Sequence, residues 1–215
     1  MLTSIRTRVT FLAAAVAVAT VFSNAPSAYV TTGSTWSSEQ VPYYVNTANL
    51  DLPATSVETA VRSGADTWHL QSGAGLRFSF VGQSSQTTTT YDGVNLVVFR
   101  NASSGSAIAT AYWWSSGSRI VDADIVFWDG AFRFFSGTTG CSGGFYIEDI
   151  AVHEFGHALG LGHSTTTGAT MYPSVSSCNA GNRTLAADDI AGVRFLYPPL
   201  PGLPSQVQNL RIGAS

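Results

Sequence analysis

The sequence predicts an α+β fold, a twisted mixed sheet of five strands with three helices packed on it. Three observations carry that expectation. An amphipathic helix comes early, a run of strand-like segments follows, and helical segments close the chain. That order gives layered sheet and helices rather than regular βαβ alternation. The 215 residues are 45% hydrophobic and 11% charged, enough apolar side chain for one real core. No internal repeat is evident.

Val41 to Asn46 (VPYYVN) reads as the first strand. A helix follows through about Leu70, capped by Thr55 or Ser56, with Val57, Ala60, Val61, Ala65 and Trp68 at helical spacing on one apolar face. Leu76 to Val81 alternates as a strand, Gly82 to Asp92 is polar and loop-like, and Asn95 to Phe99 is a short strand of the buried type. Ala107 to Trp114 and Arg119 to Trp128 are two further strands joined by SSGS, a hairpin signal. Gly130 to Gly144 reads as loop, Tyr146 to Leu161 as a helix, and the last helix runs from near Leu185 to before Pro198. PPLPGLPSQ is a linker by composition, so 199–215 is expected to be a Pro-rich tail.

Residues 1–28 read as an export signal. Arg6 and Arg8 precede an apolar run from Phe11 to Phe22, and small residues follow in SNAPSA. The run is short for a membrane span, which needs about 20 apolar residues. The mature protein is therefore expected outside the cell, with no membrane attachment after cleavage. A formal net charge of -3 argues against nucleic acid as a partner. Export also changes the reading of the two cysteines, Cys141 and Cys178. In an oxidising compartment an even pair bridges.

The chemistry concentrates in HEFGHALGLGH, His153 to His163, which holds three of the four histidines. His153 and His157 are one helical turn apart, about 40° around the axis and roughly 6 Å along it, so both imidazoles reach one metal. Glu154 is rotated about 100° from His153, beside the metal rather than in line as a ligand. This is the HExxH zinc arrangement, in which the glutamate works on water. A continuous helix would carry His163 about 9 Å further and to the far side. The chain must turn back, and Gly160 stands where a positive φ is needed. Three protein ligands leave zinc an open position, as catalytic sites require. The alternative for His153 and His157 alone is a pair of surface histidines. The third histidine and the glycine at matching positions weigh against it.

The stretch HExxHxxGxxH resembles the metzincin metalloproteases, and among them the matrixins. The resemblance continues downstream. GATMYPSV is similar to the Met-turn, with Met171 beneath the metal, and LAADDIAGVRFLYP is similar to the closing helix, with Asp188, Asp189 and Tyr197 matching. Upstream, VPYYVN, the helix ending in Trp68, LRFSF and ADIVF fall in the family's order. The resemblance implies a catalytic domain over 29–198 and one catalytic zinc on His153, His157 and His163. It implies Glu154 as general base, support from Met171 and Gly160, and hydrolysis of peptide bonds by a monomer. It also implies that polypeptide substrates lie along the edge strand at Ala109, Thr110 and Ala111.

The sequence departs from vertebrate-type matrixins in three places. Only a few residues separate the signal from the first strand, so their blocking propeptide cysteine has no evident counterpart. A ligand of their second zinc falls at Val126, and the spare histidine, His69, reads as an exposed or half-buried side chain; one zinc is expected. Asp122 and Asp124 correspond to acids that touch calcium in relatives, but calcium needs about six to eight oxygens. That set is not assignable here, and the two acids read as strand-edge or loop anchors. The competing functional readings are a non-catalytic zinc-containing binding or adhesion module and a hydrolase acting on a non-peptide bond.

Overall fold

The computed structural model describes residues 28–200. The expected export signal, apart from Ala28, and most of the Pro-rich tail lie outside the described residues. Ten elements follow one another: β1 (Gln40–Val45), α1 (Ala54–Ser72), β2 (Arg77–Gln83), β3 (Leu96–Phe99), β4 (Ala109–Ser116), β5 (Arg119–Phe127), β6 (Phe134–Phe135), β7 (Phe145–Tyr146), α2 (Ile147–Ala158) and α3 (Ala187–Leu196). Five strands form one sheet in the order β2-β1-β3-β5-β4. The pairings β1–β2, β1–β3 and β3–β5 are parallel, and β4 joins β5 antiparallel. The sheet is thus mixed, and β4 is an edge.

The crossover helix α1 starts one residue before Thr55. Neither Thr55 nor Ser56 caps it; Pro53 occupies the cap position and no side chain bonds there. Pro53 enters the helix with φ fixed at -59° and an extended ψ of 144°, and its carbonyl accepts from Ser56 N and Val57 N at 2.9 and 3.2 Å. The helix runs to Ser72, past Leu70, and stops at Gly73, whose φ of 66° closes an N–H bond to the His69 carbonyl. Its apolar face is the expected one, with Val57, Val61, Ala65 and Trp68 buried.

Two faces of the sheet are apolar. Tyr43, Phe78, Val97, Ile125 and Phe127 pack toward the helices with Trp68, Ile150 and Phe155. Phe155 of α2 meets Phe78 and Tyr43 at centroid distances of 4.8 and 5.2 Å. Each such fully buried side chain contributes about 1.5–3 kcal/mol. On the other face Leu96, Val98, Val126 and Trp128 form a smaller cluster. Val126 is fully buried in it, which explains an apolar residue at that position.

Three assignments need correction. Gly130–Gly144 is not all loop, because Phe134 and Phe135 pair in parallel with Phe145 and Tyr146. Two-residue strands show no periodicity that a sequence reading can detect. The histidine helix ends at Ala158 rather than Leu161, since the chain is already turning. The first hairpin strand is shifted by two residues, to Ala109–Ser116, with Gly117 at φ 61° in the turn, and the second ends at Phe127, one residue before Trp128. Cys141 and Cys178 do form a disulfide, their Cα atoms 5.5 Å apart.

Asp122 and Asp124 anchor the loop between β2 and β3. One Asp122 carboxylate oxygen accepts from Asp92 N and Gly93 N, both at 2.8 Å. Asp124 accepts from Thr90 N and Leu96 N, both at 3.0 Å. His69 is half-buried, with Nδ1 2.9 Å from the Ala74 carbonyl oxygen.

Candidate metal centre and cleft

The helix α2 lies under the sheet because two indoles hold it. Trp68 Nε1 donates to the Val152 carbonyl at 2.8 Å, and Trp36 Nε1 to the Ala158 carbonyl at 2.8 Å. After Ala158 the chain reverses at Gly160, whose φ is 100°. A side chain there is excluded twice over, by that φ and by the Ser34 carbonyl against which a Cβ would press. The returning strand is then stapled by the N-terminal segment: Thr32 N donates to the Gly160 carbonyl and Gly162 N to the Val30 carbonyl, each at 2.8 Å. His163 follows at once.

The result is three imidazoles around one point. The Nε2–Nε2 separations are 3.2 Å (His153–His157), 3.1 Å (His157–His163) and 3.3 Å (His153–His163). Nδ1 of His153 lies 2.7 Å from the Thr170 carbonyl oxygen, and Nδ1 of His157 lies 2.9 Å from that of Leu161. A carbonyl only accepts, so both Nδ1 atoms carry the proton and both Nε2 atoms present lone pairs. His153 and His157 therefore do not hydrogen-bond to each other through Nε2, and with His163 Nε2 beside them three ligand atoms converge. A tetrahedral ion with metal–nitrogen bonds of about 2.0–2.1 Å sets its ligands about 3.3 Å apart. The donor set fits such an ion. Among the described residues this is the one group of three or more such side chains close enough to share an ion.

Electrostatics agree with a neutral triad. Burial, with repulsion from the neighbouring histidines, holds His153 down to about 3 and His157 down to about 4. Burial also lowers His163. Glu154 is buried between the triad and β4, and burial pushes its carboxyl up to about 8, against the pull of the Ala111 backbone N–H.

Met171 is fully buried and packs on Gly156, the residue just before His157. A Cβ at Gly156 would collide with the Met171 sulfur and the Trp68 ring, so the close approach needs glycine. The methionine packs against the histidine helix beneath the triad. Its turn is tied by Asp189, which accepts from Thr170 N (2.8 Å), Met171 N (3.0 Å) and Ala186 N (2.9 Å). Asp188 accepts from Ser164 Oγ at 2.6 Å, and Tyr197 Oη donates to the Leu159 carbonyl at 2.7 Å. The closing helix thus fixes the turns on both sides of the triad. Residue spacing suggested none of these bonds; the Asp-Asp and Tyr matches of the C-terminal stretch were the available signal.

The triad opens into a cleft of about 820 Å³. Ala109, Thr110, Ala111 and Trp113 of the edge strand form one side, and Tyr172 to Val175 the other, with Phe132, Phe145 and Ile150 between them. All the residues expected at the site except Gly160 and the bridged cysteines line it or pack directly beneath it.

Residues 35–198 match the matrixin family. The chain belongs to the matrixins. It is similar to the hatching enzyme of Paracentrotus lividus, 32% identical over 178 residues that cover 79% of this chain and 27% of that protein. It is 28% identical to Matrix metalloproteinase-18 of Xenopus laevis over 178 residues, 78% of this chain and 34% of that one. Neutrophil collagenase of Homo sapiens is 25% identical over 172 residues, 75% and 33% of the two chains. This matrixin spans about a quarter to a third of the length of those relatives. No helix among its described residues is long and apolar enough to cross a membrane.

Proposed function

We propose that this matrixin is a secreted zinc-dependent endopeptidase. The observation that carries the reading is the convergence of three imidazole Nε2 atoms beside a buried glutamate, at the floor of a cleft walled by a free sheet edge. His153, His157 and His163 would hold the ion. Zinc, when bound, supplies a Lewis acid that polarises a carbonyl and acidifies water.

The remaining chemistry belongs to the chain. An extended peptide pairs its backbone with β4 near Ala109–Ala111, which tolerates many sequences because main-chain groups are common to all. An apolar side chain of the peptide enters the space between Phe132, Phe145, Ile150 and Val175. Glu154 takes a proton from the attacking water and passes it to the departing amine. A carboxyl poised near neutrality suits both halves of that task, and a cation beside it favours the ionised form. Met171 and Asp189 hold the triad's geometry without touching substrate.

The free edge favours this reading over a non-catalytic binding module or a hydrolase of non-peptide bonds. Hydrolysis of unfolded casein tests all three. The account expects cleavage that stops with a chelator and returns on adding zinc; no cleavage by fully zinc-loaded protein would defeat it.

A further inference from the structure

The pocket wall Pro173–Val175 belongs to a segment without helix or strand. Two fastenings just after it in the chain connect it to the rest of the fold. At one, Cys178 is bridged to Cys141, while Cys178 N and Ser177 Oγ both donate to the Gly144 carbonyl at 2.9 and 3.0 Å. At the other, Arg183 donates to Asp149 (2.6 Å), Glu148 (2.9 Å) and the Gly137 carbonyl (2.7 Å). Asn182 N adds a bond to Asp149 at 2.9 Å. Asp149 is fully buried, so this pair is shielded from solvent and salt.

The partners matter as much as the bonds. Gly137, Cys141 and Gly144 belong to the loop that leads straight into Phe145, which lines the same pocket. Glu148 and Asp149 open the helix that carries the histidines. The fastenings therefore tie the segment after Val175 to the loop before Phe145 and to the start of the histidine helix, yet none touches the triad. We propose that the Cys141–Cys178 bridge and Arg183 are positioning groups for side-chain selectivity, holding together the two loops that line this apolar pocket. The inference rests on the peptidase reading for its ligand. It makes side-chain discrimination, but not metal binding, dependent on the redox state of the bridge.

The test uses the zinc-loaded, exported protein and two peptide hydroxamates that differ only in carrying Leu or Ala next to the chelating group. The hydroxamate anchors each probe on the metal, so the ratio of their affinities reads the pocket alone. Calorimetry is run before and after reduction with a phosphine, which does not compete for zinc as a thiol does. The disulfide gains two electrons and two protons, and the phosphine takes oxygen from water to become its oxide; the thiols are then capped. Arg183→Lys, with the bridge intact, is the second arm, because lysine keeps the charge and loses the fork. The expected result is a fall in the Leu-to-Ala affinity ratio of more than about threefold in both arms, at unchanged zinc content. A smaller change in protein that keeps its zinc, or an absence of any Leu preference at the start, would overturn the proposal. Should reduced protein lose its fold by near-ultraviolet circular dichroism, the Arg183→Lys ratio decides alone. Casein cleavage by the same untreated sample reports separately on the peptidase reading.

Discussion

At the scale of single residues, the site depends on a few buried groups whose partners are all accounted for. Asp189 is the strongest case. It is 1% exposed and satisfies three backbone donors that have no other acceptor nearby. Through Thr170 it also orients His153, since the Thr170 carbonyl holds that ring's Nδ1 proton. Asp189→Ala should cost about 3 kcal/mol or more, because buried unpaired donors are left behind. It should also weaken metal binding by about 10- to 100-fold, the usual effect of losing an outer partner of a ligand. Thermal unfolding and competition against a chromophoric chelator measure the two effects. Asp124 makes a different prediction. Burial first, then the Asp122 and Asp92 carboxylates, push it up to about 7, against the donations from Leu96 and Thr90. An acid whose folded pKa is raised holds its proton more tightly folded than unfolded. Its contribution to stability is therefore greatest below the ordinary aspartate range near about 4 and declines as pH rises toward about 7. Asp124→Asn removes that titration. The stability of the variant relative to the unsubstituted protein should rise steadily across that window and level off above it; denaturant unfolding at several pH values checks this, and a flat difference would contradict it.

At the scale of elements, the histidine helix and the strands were readable because each shows its own period. The apolar face of α1 and the alternation in β2 survive folding almost unchanged, with boundaries off by a residue or two. What the sequence could not show is what depends on distant partners. The end of α2 at Ala158 is set by the turn at Gly160 and by the N-terminal segment pairing with it, some 130 residues away in the chain. The β6–β7 pair and the Arg183 fork likewise join segments with no local signature. The cysteines were readable from compartment and parity alone, and the structure joins them across a sequence separation of 37. Closing such a loop stabilises by about 4 kcal/mol in the chain-entropy model. The Cys141→Ser, Cys178→Ser double variant should therefore melt roughly 10 °C lower, and should cleave itself faster as the two glycine-rich loops loosen. Scanning calorimetry and timed electrophoresis test this, and an unchanged melting temperature would show that the loops are held by their hydrogen bonds alone.

At the scale of the whole molecule, each layer supplies one requirement of the site. The sheet presents β4 as a free edge, the crossover helix and Trp36 hold α2 beneath it, and α3 locks the turns that carry Met171 and His163. Removing one layer should therefore disturb geometry before chemistry. The most specific chemical claim concerns Glu154, which lines the cleft beside the three converging histidines and is not one of that group. Glu154→Gln preserves its size and removes the base. Measured on a single preparation, the variant should retain one zinc per chain by elemental analysis while its peptide hydrolysis falls by at least about 10²-fold. Near-normal hydrolysis by a zinc-loaded Glu154→Gln protein would contradict the account.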